Sequence, residues 1–315
     1  MVVKDIFPRQ SAANAIRSIN TEKVAAVEAP SIGRNPGTSA VITPETLLYG
    51  PTLKLERAYH HINDMAAQSD AFLAQKPFVL WERHERKANR KTLFVKQDKP
   101  IPRVFPLIVG DAVHNLRAAL DHTLFMMAKD RSPKPSKIQF PFPRDDAPGT
   151  LRNAIKEGQV EFAGKKVVEA IESLGPNPSG NGGLYGVHFL DIQDKHQVLV
   201  LTDVKALIRA GEPEEALLKD TTGYPMPAGT TLVFAGSPSD DALMVLENFR
   251  YATRELPDSE NETKVQPTFA IAFSDREALA HHPVIETLRV AAEETRLAVQ
   301  KMIEAYFDPN NTFPA

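Results

Sequence analysis

Along its longest stretches the chain repeats apolar residues at a spacing of three and four, and it changes to alternation only in short runs. After Gly50-Pro51, where proline suits a first helical turn, Leu55, Ala58, Ile62, Met65 and Phe72 form one stripe that predicts a helix to about residue 75. Pro77 ends it. Phe78–Glu85 and Lys91–Gln97 are rich in Phe, Val, Leu and Trp and predict two strands of a hairpin at about 78–97, turning at Lys87-Ala88-Asn89-Arg90. From Arg103 to Lys129, residues Val109, Ala112, Val113, Leu116, Leu120, Leu124 and Met127 fit helical periodicity closely.

A proline-rich stretch, Ser132–Pro148, follows and contains an extended Ile138-Gln-Phe-Pro-Phe-Pro143. Helices are expected at about 149–157 and 165–174, a flexible connection at Pro176–Gly183, and a further helix from Leu184 to about His196. Thr230–Phe234, Ala242–Glu247 and Thr268–Phe273 suggest a small antiparallel sheet. A last helix follows Pro283, with Ile285, Leu288, Ala292, Leu297, Met302 and Ile303 as its inner face, and Asn310 to Ala315 are expected to fray. The fold class is therefore α+β: a helical bundle interrupted by a hairpin, with a small antiparallel sheet before the C-terminal helix. The expected organisation is a weakly ordered arm at 1–43 with a short helix near Ser11–Ile19, a helical region at 44–200, a β-rich segment at 201–280, and a helix at 281–315 that packs back on the helical region.

Composition narrows the chemistry more than the fold. With 315 residues, 42% hydrophobic and 24% charged, the chain has the makings of an ordinary globular core. Its net charge of −3 supplies no global field for nucleic acid or anionic lipid, so any such contact needs a local patch. No apolar run approaches the ~20 residues of a membrane span, and the first residues lack signal-peptide order; a cytoplasmic protein with no membrane partner is expected. The absence of cysteine removes disulfides, thiolate metal sites and a cysteine nucleophile, leaving His, Asp, Glu, Ser and Lys.

The helix at 103–129 carries the main candidate. At ~100° per residue, Asp111, His114, Asn115, Asp121 and His122 fall within about a third of its circumference, and Arg117 at the edge stands four residues before Asp121. One reading is a solvated face with a weak surface ion pair. The other is a site, because Asp, Asn and His are poor mid-helix residues and Gly110 costs ~1 kcal/mol relative to Ala unless close approach of another helix requires it.

The string Gly110-Asp-Ala-Val-His-Asn-Leu-Arg-Ala-Ala-Leu-Asp-His122, followed by Leu190-Asp-Ile-Gln-Asp-Lys-His196, resembles a widespread bacterial and phage family over about residues 50–200. The first segment also resembles the HEPN superfamily of helical proteins, whose ribonuclease members carry Arg, four to six residues, then His, as Arg117 and His122 do. That resemblance implies a homodimer that binds or cleaves RNA by metal-independent acid–base chemistry. Arg117 would hold the scissile phosphate and His122 would act as acid or base. Asp121 would orient one of them, and His114, Asn115 and Asp111 would line the pocket. The residue after the arginine is Ala118, where active members usually have a polar one.

Other residues offer further candidates. On the 184–196 helix, His188, Asp191 and Lys195, flanked by Asp194, share one face, and Tyr185, Phe189, Ile192 and His196 share the other. The polar face is either solvated or, together with His196, part of the same pocket. His61/Asp64, Asp111/His114 and His188/Asp191 each set an imidazole and a carboxylate one turn apart, so a divalent metal in a hydrolase is an alternative. Arg83–Arg103 holds eight Lys/Arg against Glu85 and Asp98. There Trp81, Arg83, Arg86, Lys87, Arg90 and Lys91 are candidate RNA contacts, or simply charges that protect a strand edge. A catalytically inert interaction or regulatory module is the remaining alternative.

Overall fold

The computed structural model describes residues 43–85, 90–196, 279 and 282–314, together with strand segments between 202 and 273. Six helices dominate it: α1 (Pro44–Leu73), α2 (Val104–Ala128), α3 (Thr150–Glu157), α4 (Lys165–Leu174), α5 (Gly182–His196) and α6 (Val284–Tyr306). The helical bundle expected from periodicity is present. The N-terminal arm at 1–43, apart from Thr43, lies outside the described residues.

Helix α1 starts earlier than its periodic stripe, at Pro44, and runs through Pro51. Leu47, fully buried, explains the extra turns: burying an aliphatic side chain is worth about 1.5–3 kcal/mol, enough to offset most of the cost of a proline in the helix interior. Lys76, at φ 51°, ends the segment and hands the chain to Pro77. In α2 the proline at Pro106 sits in the first turn, where its missing N–H costs no helical bond.

One core cluster joins α1, α2, α5 and α6. Leu55, Ala58, Ile62, Met65 and Phe72 from α1 meet Phe105, Val109, Ala112, Val113 and Leu116 from α2, with Val187, Leu190, Leu288 and Ala292 closing the space. Phe72 is the hub of an aromatic group, edge-on to Phe78 at 6.0 Å and to Phe105 at 5.9 Å. The inner face of α6 is wider than expected and includes Ala291, Thr295, Ala298, Val299 and Tyr306. Leu297, expected inside, is exposed because the buried arc passes between Thr295 and Ala298 and leaves it on the outer side.

Strands β1 (Phe78–Glu85) and β2 (Arg90–Gln97) pair antiparallel from Phe78 opposite Gln97 to Glu85 opposite Arg90. Further along, β3 (Thr202–Arg209) pairs with β5 (Thr231–Gly236) and β9 (Thr268–Phe273), β4 (Leu218–Lys219) with β7 (Arg250–Tyr251), β6 (Met244–Leu246) with β2, and β8 (Asn261–Glu262) with β1. Of these, β9 contributes Ile271 and Phe273 to the helical core. Among the described residues no helix is long and apolar enough to cross a membrane.

The C-terminal tail does not fray. Asn311 accepts from the Lys166 backbone N–H at 2.9 Å and donates to the carbonyls of Ala163 and Tyr306 at 3.2 Å each. Lys165 N–H donates to Thr312 O at 2.8 Å, and the Arg131 guanidinium lies 3.9 Å from the Phe313 ring centroid. A polar, proline-containing terminus suggested fraying, but Asn311 satisfies the first-turn N–H of α4 and so ties the tail down.

Candidate functional site

Arg117 and His122 leave helix α2 from different arcs of its surface and meet different neighbours. Arg117, only 7% exposed, points to α5 and to the Phe140–Pro143 segment, a strap that lies against Arg117 and His188. Its Nε donates to Asp121 Oδ2 at 2.9 Å, Nη1 to His188 Nδ1 at 2.8 Å, and Nη2 to the Phe140 carbonyl at 3.3 Å. Asp121 completes the loop, its Oδ1 accepting from Phe140 N–H at 2.7 Å. The guanidinium also lies 4.6 Å from the Phe142 ring centroid, and that ring stacks on His188 at 4.5 Å with planes 5° apart. All three nitrogens of the guanidinium therefore have acceptors inside the protein.

His122 takes no part in this. Its ring occupies the space over Gly50 of α1, where an added Cβ would collide with it. Burial, then the positive charges of Lys54 and Lys129, hold its pKa below the ordinary histidine value. The pairing expected of Arg117 and His122 is thus not what the geometry provides. Five helical residues apart is ~140° of rotation, so the two side chains meet different helices, and Arg117 turns towards α5 rather than round towards His122.

The polar stripe on α2 is split in the same way. Asp111 and His114 are exposed, whereas Asn115 is buried and donates to the Asp111 carbonyl at 2.8 Å. On α5 the inward arc is Leu184, Val187 and Leu190 with Asp191 beside them at 5% exposed, His188 and Asp194 are half-buried, and Phe189 and Ile192 are 40% exposed each. Asp191 Oδ1 is 3.1 Å from His114 Nδ1, which must carry the proton because a carboxylate only accepts. Asp191 Oδ2 receives Lys195 Nζ at 2.7 Å. These partners explain why the Asp191 carboxylate can be buried: ionised groups leave water only when paired.

Gly110 is the contact point of the two helices. A Cβ there would lie 2.6–2.8 Å from the Asp194 carboxylate, and Asp194 Oδ1 is buried with no hydrogen-bond partner. Burial, reinforced by Asp191 and Asp111, raises the Asp194 pKa, so the seam favours its protonated form. Gly110→Ala is expected to lower the melting temperature. The displaced carboxylate and shifted helix cost about 1–3 kcal/mol, against ~1 kcal/mol recovered in helix propensity. An unchanged or raised melting temperature would show that α5 does not rely on this close approach.

His188 is the most perturbed group of the site. Its pKa is pushed down to about 4, first by burial, then by the Arg117 guanidinium and more weakly by Lys195, with Asp191 acting in the opposite sense. Since Arg117 can only donate, Nδ1 is unprotonated and the ring is the neutral Nε2–H tautomer.

Of the His and Asp residues considered for a metal, Asp64, His114, Asp191 and His188 are held by partners within the protein. Asp64 accepts both its hydrogen bonds from Gln68 at 3.0 and 3.1 Å, His61 is 8% exposed with its ring edge-on to His60, and His188 Nδ1 receives Arg117. Among the described residues no group of three or more His, Asp or Glu is placed to hold a metal ion. His196 closes α5. Of the RNA-contact candidates, Trp81, Arg83, Arg90 and Lys91 lie on β1 and β2, and Arg86 and Lys87 lie outside the described residues.

Phe140 and Phe142 are site residues that sequence reading did not single out. Their signal was the aromatic–proline alternation of Phe140-Pro-Phe-Pro143, which fixes an extended strap and presents rings and carbonyls to one partner. Compared with protein-family models, curated proteins and solved structures, the chain matches none of them.

Proposed function

We propose that this chain is a HEPN-like α+β interaction module, cytoplasmic and homodimeric, that binds RNA without a cofactor and leaves it uncut. The observation that carries the reading is the enclosure of Arg117. A guanidinium that is 7% exposed and donates to Asp121, His188 and Phe140 O cannot swing out to a phosphate without breaking buried bonds worth about 1.5–3 kcal/mol each. His122, packed over Gly50, stands outside that network. In this reading the motif that cuts RNA in active HEPN proteins has become structural.

RNA as the ligand is supported by the basic run Arg83–Arg103 with Trp81 beside it, a local excess of positive charge in a chain of net charge −3. Such ribbons hold phosphates by charge and a base by stacking.

Labelled single-stranded RNA incubated in chelator with the intact protein tests both halves. Binding is expected to weaken steeply with salt and to fall about tenfold or more on losing Arg83 and Lys91 together, with full-length RNA recovered throughout. Absence of binding at low salt would remove RNA as the ligand. Cleavage that disappears in His122→Ala would restore the nuclease and overturn the inert reading.

A further inference from the structure

Beside the apolar contacts of Val187 and Leu190, the α2–α5 seam carries polar contacts whose hydrogen bonds depend on protonation, and His188 is their pivot. The groups facing that ring come from three elements. From α2 comes the Arg117 guanidinium, 2.8 Å from Nδ1 and itself held by Asp121. From α5 come Asp191, Lys195 and the edge of Tyr185 at 6.1 Å. From the strap comes only Phe142, stacked on the ring and not ionisable. A proton added at Nδ1 would set N–H against N–H, erase the acceptor of a buried guanidinium, and place two cations in contact beneath an aromatic ring.

We propose that protonation of His188 releases α5 and the Phe140–Pro143 strap from α2, making this seam an acid-triggered latch. The strap is joined to the seam through the same residues: Arg117 Nη2 to Phe140 O, Asp121 to Phe140 N–H, and Phe142 against His188. Loss of the Arg117–His188 bond therefore loosens both elements together. Opening would uncover Phe140, which is 1% exposed, and the paired face of α5.

The direction follows from linkage. The closed seam depresses the His188 pKa to about 4 from 6.5, so the open form takes up the proton first. Closure is fully favoured above about pH 6.5 and weakens as pH falls towards 4. Asp194 works the opposite way: its raised pKa makes closure more favourable as it protonates, so it softens the acid response without creating it.

Amide hydrogen exchange on the full chain tests the latch, compared as protection factors so that the intrinsic pH dependence cancels. If opening returns His188 to its ordinary value, protection in α5 should fall about 30-fold between pH 7.5 and pH 5. In His188→Gln, whose amide oxygen still accepts from Arg117 and does not titrate, protection should stay level. An equal fall in both proteins, or a level response in both, overturns the proposal. Should the Gln form fail to fold, the imidazole titration of the natural chain decides: a His188 ring that protonates at the ordinary histidine value sinks the latch, and one still neutral near pH 5 supports it.

Discussion

Replacing Arg117 with Ala is expected to cost about 3–5 kcal/mol of folding stability, the usual penalty for breaking a buried charge network by removing one partner. The substitution leaves the Phe140 carbonyl and His188 Nδ1 without their donor and deprives Asp121 of its charge partner. Asp121, with a third of its side chain exposed, recovers some hydration, which holds the loss below what a sealed carboxylate would suffer. Urea unfolding should show a lower midpoint at unchanged slope.

Arg117→Lys is expected to rescue little, because one ammonium cannot reach in-plane acceptors on three elements. A loss under about 1 kcal/mol would mean that the guanidinium behaves as a surface charge. The main support for the inert reading would then fall as well, since a loosely held Arg117 is free to meet phosphate.

Gly164→Ala should be nearly as damaging, at about 2–4 kcal/mol. Gly164 adopts φ 105° and ψ 158°, a region that residues with a Cβ avoid at a cost of about 1–3 kcal/mol. An added Cβ would also overlap the Asn311 amide and expel the side chain that caps α4 and binds Ala163 O and Tyr306 O. Asn311→Ala alone should lose about 2–3 kcal/mol, near one per hydrogen bond. The double variant should fall well short of the sum, because both changes remove the same contact. Additive losses in thermal or urea unfolding would show that the tail docks independently of Gly164.

These positions mark how far local pattern carries. The helices were legible because their apolar stripes are long: Val109 to Met127 in α2 and Leu55 to Phe72 in α1 repeat often enough for period 3.6 to stand out. The strand Thr268–Phe273 was legible from its apolar run. Asn311 was not, because a capping asparagine in a polar tail looks like any surface asparagine until α4 arrives beside it. Nor was the inward turn of α5. Periodicity alone set Phe189 and Ile192 against His188 and Asp191 but could not say which side faces α2. The answer depended on Arg117, His114 and Lys195 being in reach to pair the buried polar groups.

From its sequence alone this protein is committed to a cysteine-free bundle of amphipathic helices, with Arg117, Asp121 and His122 on one helix and His188 and Asp191 on another, because helical spacing is a local property of the chain. Which of them meet was decided by tertiary packing. Gly110 lets α5 approach, the Phe140–Pro143 strap supplies a carbonyl and a ring, and Arg117 turns to both while His122 stays with α1. Hydrogen bonds between elements depend on the distance and angle of approach, and no pattern within a single helix contains either.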